Sequence, residues 1–238
     1  MEGRPDESRH EWRFQIGEAL PSESPLARFV VAVAAALNDN LLSNTLFVQA
    51  EKPVERVYFF SLASSHLYEA AESLRRADRE WPEVRDFVAA LDAERREEFA
   101  RIAALADPDP PWPGRRLKEI RNSFFHYLRL DRPAADAGHL PLARGLAAAA
   151  DEEGILLIEP GAPLSGIRAL FADEVFVKTI ADEWEEGETE RLFGALANLQ
   201  ADLNRFAQGV LGRYLNNQPD GVVTYTEESA GAPTPEGD

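Results

Sequence analysis

Arg121 and His126 stand five positions apart in the segment LKEIRNSFFHYLRL, where a proton-transferring group and a phosphate-gripping group fall within one or two helical turns. An imidazole titrates near neutral pH, so it can take a proton from a hydroxyl or return one to a leaving oxygen. A guanidinium can hold phosphoryl oxygens in a bidentate grip and stabilise charge that builds during reaction. RNA carries its own nucleophile, the 2′-hydroxyl, beside each phosphodiester. The chemistry this pair suits is therefore 2′-hydroxyl attack on the adjacent phosphorus, leaving a 2′,3′-cyclic phosphate and needing no metal. DNA lacks the attacking hydroxyl.

On a helical wheel advancing about 100° per residue, Leu117, Ile120, Phe124, Tyr127 and Leu128 form one apolar face. Arg115, Lys118, Asn122, His126 and Arg129 share the polar side. Arg121 falls at the seam between them. An arginine among apolar neighbours is costly to bury unless an anion meets it, either an internal carboxylate or a phosphate. Glu69 and Glu72 are the candidate carboxylates. Asn122 lies at i, i+4 from His126 and is placed to position the ring or a phosphate. The competing reading of His126 is a histidine hydrogen-bonded at the edge of a helical core. His66, within FFSLASSHLYEAAESL, either lines the same cleft or is likewise a core-edge histidine.

The run Arg121-Asn122-Ser123-Phe124-Phe125-His126 resembles the Arg-x4-6-His motif of the HEPN superfamily, with a polar residue after the arginine and similar flanking LKEI and HY. The resemblance implies an antiparallel helical bundle with the motif on a late helix, and a metal-independent RNA endonuclease. It assigns catalysis to Arg121 and His126, with Asn122, Lys118, Arg129, Glu69 and His66 as substrate-binding or supporting residues. It also implies a homodimer whose two motifs share one cleft, and roles in toxin–antitoxin systems, phage defence or RNA processing. The partners would be RNA and a protein antitoxin. The alternative is a catalytically inactive HEPN-like binding module that partners a nucleotidyltransferase or another effector. Some toxins of this kind carry a tyrosine two residues after the histidine; here that position is Leu128.

Composition sets limits on these readings. The chain has 238 residues, ample for a hydrophobic core, and its net charge of −17 opposes non-specific binding to nucleic acid. Positive charge is concentrated over 115–132, where Arg115, Arg116, Lys118, Arg121, Arg129 and Arg132 face only Glu119 and Asp131. Taken without the motif, such a run is a solvated helix face. Cysteine is absent and the N-terminus has no apolar signal region, which together point to the cytoplasm. No uninterrupted apolar run reaches eighteen residues, so no membrane span is expected. Without cysteine, an HExxH pattern or a Gly-rich phosphate loop, neither a metal site nor a cofactor is expected.

The fold class expected is mainly α: an antiparallel bundle of four to five long helices with a small mixed α/β insertion. Residues 1–21 are polar, aperiodic and expected to be disordered; 22–216 form the HEPN-like bundle; 217–238 form an acidic disordered tail. Ser24-Pro25 marks a helix start, followed by a stripe of Leu26, Phe29, Val30, Val33, Leu37 and Leu41. Further helices are expected after Pro53, from Pro82 through Leu105, from about Arg115 to Leu130, and over about 188–216. Pro108, Pro110, Pro111 and Pro113 forbid helix between the third and fourth. Within the insertion at 131–186, an Ala-rich helix near 140–151 precedes a strand at 155–159, and the segments after it read equally as a hairpin or as helical turns.

Overall fold

Ser24 and Pro25 start the first long helix as expected. The Ser24 hydroxyl accepts from the Ala27 amide at 3.1 Å, and Pro25 takes the first helical position, where no amide hydrogen is needed. The computed structural model describes residues 9–125, 146–147, 149–151, 156–158, 167–169, 178 and 184–228. Within them the chain is mainly helical. Strand β1 (Arg9–Phe14) leads into α1 (Ile16–Ala19), α2 (Pro25–Gln49), α3 (Pro53–Glu80), α4 (Pro82–Ala89), α5 (Ala93–Ala104) and α6 (Trp112–Phe125). Then come β2 (Leu156–Ile158), β3 (Ile167–Ala169), α7 (Glu188–Asn216) and β4 (Val223–Glu228).

Contacts between helices fix their relative directions. Residues 50–52 join α2 to α3, and Asp39 meets His66 at 3.5 Å, so the two helices run back along each other. Against α2, α7 also runs antiparallel: Phe47 packs on Phe193 with ring centroids 5.6 Å apart, while Asn40 donates to the Asn204 side chain at 2.7 Å. α5 crosses α7 in the same sense, with Glu98 bonded to Arg205 and Arg101 to Asp202. Between them lies one core, including Phe29, Leu67, Ile102, Leu117, Ile120, Leu192, Leu203 and Phe206. Burying each such side chain contributes on the order of 1.5–3 kcal/mol. The helix expected over about 188–216 is α7, and its apolar stripe faces inward, with Leu192, Leu196, Leu203, Phe206, Val210 and Tyr214 all buried.

Several expectations need correction. The helix expected from Pro82 to Leu105 is two helices, because Asp92 caps a fresh start by accepting from the Arg95 amide at 2.9 Å. The prolines before α6 do not hold it off until Arg115. It begins at Trp112, with Pro113 in the first turn, where a missing amide costs nothing. Gly114 is required there: a Cβ would lie 2.5 Å from the Leu105 carbonyl oxygen. On α2 the stripe does not continue to Leu41, which is half exposed. Asn40 and Ser43 turn inward instead. Asn40 can be buried because the Gln200 carbonyl and the Asn204 side chain accept from it. α2 is nonetheless long and apolar enough, by length and composition, to cross a membrane, a feature hidden in the sequence by its interspersed asparagines and serines.

Both ends of the chain hold structure where disorder was expected. β1 and β4 pair antiparallel from Arg9↔Glu228 to Phe14↔Val223, and Trp12 packs on Tyr225 directly opposite, with centroids 5.2 Å apart. The Tyr214 hydroxyl donates to the Ala19 carbonyl at 2.8 Å, tying α7 to α1. Residues 1–8 and 229–238 lie outside the described residues. Within the insertion, β2 lies in the expected strand and pairs antiparallel with β3, so the IRALF segment contributes the second strand of a hairpin. Residues 146–147 are helical and 149–151 form a turn.

Candidate functional site

The site is built on α6, whose inner face carries Leu117 and Ile120, both fully buried. That packing fixes the rotation of the helix and brings Arg121 against α3. The Arg121 Nε donates to Glu69 Oε1 at 2.5 Å, and its Nη2 lies 3.7 Å from Glu72 Oε2. Glu69 and Glu72 are three residues apart on α3, one helical turn, so both reach the same guanidinium. The Arg121 Nη1 also donates to the Asn122 Oδ1 at 3.0 Å. The arginine side chain is 22% exposed and the Glu69 side chain 51%. The guanidinium therefore sits at a rim rather than beneath packed side chains.

Asn122 departs from the wheel reading. It is buried with Ser123, so the inner face of α6 widens to include polar residues, and its amide oxygen is used by Arg121. Lys118 is exposed one turn before Arg121, and Arg115 one turn before that. Neither has an ion-pair partner among the described residues. Arg116, by contrast, bonds Glu119 at 2.9 Å and Glu188 at 2.7 Å. Among the four described cations of the strip, Arg116 and Arg121 are held by carboxylates, while Arg115 and Lys118 face water. His66 does not join Arg121. Its Nδ1 faces Asp39 of α2 across 3.5 Å. His126 and Arg129 lie outside the described residues.

No family model, curated protein or solved structure matches this chain. Its chemistry is read from the arrangement itself.

Tyr68, which sequence reasoning did not single out, lies beside the site. It is buried, and that burial, with the Glu72 carboxylate next, pushes its phenol above the ordinary value. The available signal was its place between Leu67 and Ala71 on the inner stripe of α3, directly before Glu69. A second cluster also escaped notice. Glu188, nearly buried at the start of α7, accepts from the Trp112 indole and from Arg116. Arg191 lies over the Trp112 ring at 3.9 Å and Arg116 over Trp184 at 5.3 Å. These contacts lock the first turn of α6 to the start of α7, and so position the helix that carries Arg121. Among the described residues, no group of three or more His, Asp or Glu side chains is placed to hold a metal ion.

Proposed function

We propose that the protein is a metal-independent RNA endonuclease of HEPN type, with Arg121 holding the phosphate and His126 transferring the proton, on an antiparallel helical bundle. One observation carries the reading: the Arg121 guanidinium lies at an open rim, oriented by Glu69 and Asn122, where a phosphate can reach it. Lys118 and Arg115 extend a cationic line from it along α6, placed to follow a strand backbone. A homodimer would bring two copies of His126 into one cleft and supply both the base and the acid. The exposed Val31, Leu41, Leu42 and Val48 of α2 offer apolar area for such pairing. Toxin–antitoxin and phage-defence roles belong to this reading, with RNA as substrate and a protein antitoxin as partner.

Purified protein incubated with RNA in EDTA tests it. Wild type is expected to cut RNA to 2′,3′-cyclic phosphate ends and to leave DNA whole, and His126→Ala is expected to be inactive. Absence of RNA cleavage, or equal cleavage by His126→Ala, overturns the reading.

A second reading is favoured by a specific observation. Two carboxylates already meet Arg121, and the whole chain carries −17, so a phosphate strand must displace or accommodate both. A HEPN-like module that binds a nucleotidyltransferase or other effector, without cleaving RNA, fits that arrangement. It predicts an oligomer or heteromer with no nuclease activity.

A further inference from the structure

Between α2 and α3 lies a groove of about 420 Å³, and no residue of a third described helix lines it. It runs on α2 from Arg28 to Asp39, eleven residues, about three helical turns or 16 Å. Between its ends both walls are made largely of small residues: Ala32, Ala35 and Ala36 on α2, and Ala70, Ser73 and Ala77 on α3. These recur at three- and four-residue steps, so each helix turns one continuous stripe toward the groove. Small residues on two flanking helices leave room for the larger side chains of a third and let its axis come close. Ala32 and Ala35 are exposed, so a helix laid there would bury apolar surface that now faces water.

The charges at the two ends say what kind of helix fits and which way it runs. Asp39, His66 and Glu69 line one end, where Asp39 already meets His66 and Glu69 already meets Arg121. Arg28 and Arg76 line the other, closed by the half-buried Trp81. In a chain with 42 acidic and 25 basic residues, a guanidinium is expected to end on a carboxylate, as Arg75 does on Asp107 and Arg101 on Asp202. Arg28 instead donates to the Ser22 carbonyl at 2.8 Å and meets no carboxylate among the described residues. Arg76 has no hydrogen-bond or ion-pair partner among them. Two guanidinium groups without an anion thus stand at the same end of an apolar groove. A helix presents partial negative charge and free carbonyls at its C-terminus and partial positive charge at its N-terminus, the order in which this groove is charged to receive them.

We propose that this groove docks one amphipathic helix of a partner protein, antiparallel to α2, with acidic side chains in its last turn against Arg28 and Arg76. Its apolar side chains, spaced i, i+3 or i+4, and i+7, enter between the alanines, as in other helix-in-groove recognition. Its first turn lies beside Asp39 and Glu69, where the helix dipole supplies the positive charge that their neighbours leave room for. The docking needs neither RNA cleavage nor a second copy of this chain. It is read without RNA, so its failure and that of the nuclease reading are separate results.

Selection from a displayed library of amphipathic helical peptides against the full chain tests the proposal, with affinities then read by fluorescence anisotropy. The selected peptides are expected to share an apolar stripe and Asp or Glu in the last turn. Moving those acids to the first turn should weaken binding at least tenfold, as should Arg28→Glu with Arg76→Glu in the protein. Ala32→Gln with Ala35→Gln, which fills the groove, should do the same. Arg79→Glu, on α3 but outside the groove, should bind as wild type does. All four groove positions are exposed and both new residues are good helix formers, so thermal unfolding should show the variants folded. Failure to select any helix, equal binding whichever end carries the acids, or undiminished binding by either groove variant overturns the assignment. So does a dimer in sedimentation that the groove variants dissolve, which would put a second copy of the chain in the partner's place.

Discussion

Arg121 on α6 and Glu69 on α3 meet with nitrogen and oxygen 2.5 Å apart, at a rim where the glutamate is half exposed. The contact joins two helices already packed through Leu67, Leu117 and Ile120, so its energetic weight is separable from its geometric role. Exposed ion pairs of this kind are typically worth about 0.2–1 kcal/mol, because water and salt screen the attraction. A double-mutant cycle with Glu69→Gln and Arg121→Gln, followed by urea unfolding, should give a coupling below about 1 kcal/mol that shrinks in high salt. A coupling of several kcal/mol would show a pair closed off from solvent, and with it a guanidinium no phosphate could reach.

Glu188 should leave a signature in the acid stability of the fold. Burial works to raise its carboxyl, but hydrogen bonds from the Trp112 indole, the Glu185 amide and the Arg116 guanidinium outweigh it and hold the group below its ordinary value of 4.5. A carboxyl depressed in the folded state binds protons more readily when unfolded. Its stabilising contribution is therefore complete above about pH 4.5 and is lost as the pH falls through the lower folded value. The difference in urea midpoint between wild type and Glu188→Gln should be greatest near pH 6 and should narrow below pH 4.5. A difference that stays constant down to pH 3 would contradict the assigned hydrogen bonds.

The pairing of the two chain ends can be tested covalently, because the protein has no cysteine of its own. Glu11 and Thr226 stand directly opposite in the β1–β4 ladder. Glu11→Cys with Thr226→Cys should close an intramolecular disulfide under mild oxidation, since facing residues on paired strands fall within disulfide reach. Glu11→Cys with Glu228→Cys, displaced by two positions, should close much more slowly. Equal rates for the two pairs, seen as mobility shifts on non-reducing gels, would remove the register.

The parts of the fold legible in the sequence were those governed by neighbours within a few turns. Ser24-Pro25 named its helix start because a cap and a proline satisfy local backbone needs. The α7 stripe was readable because seven apolar residues recur at one helical period. The break between α4 and α5 was less visible, since Asp92 reads equally as a cap and as an exposed helical residue. Leu41 was expected on the inner stripe, whereas Asn40 takes the buried position. Hydrophobicity favours burying the leucine, and only the presence of Gln200 and Asn204 on α7 makes burial of the asparagine affordable.

In the candidate site, the sequence by itself determined the chemistry on offer: a guanidinium and an imidazole five residues apart, with Glu69 and Glu72 as carboxylates able to meet the first. Tertiary structure decided that Arg121 rests on Glu69 at an open rim, that Asn122 is buried beside it, and that His66 turns toward Asp39 instead. It also decided that Arg28 and Arg76 share a groove and that the chain ends pair. The reason is one of range. Caps and periodic stripes are set by residues a few positions apart, whereas salt bridges, strand pairs and grooves depend on which helices pack together and in what register. That packing follows from the sum of many buried contacts across the chain.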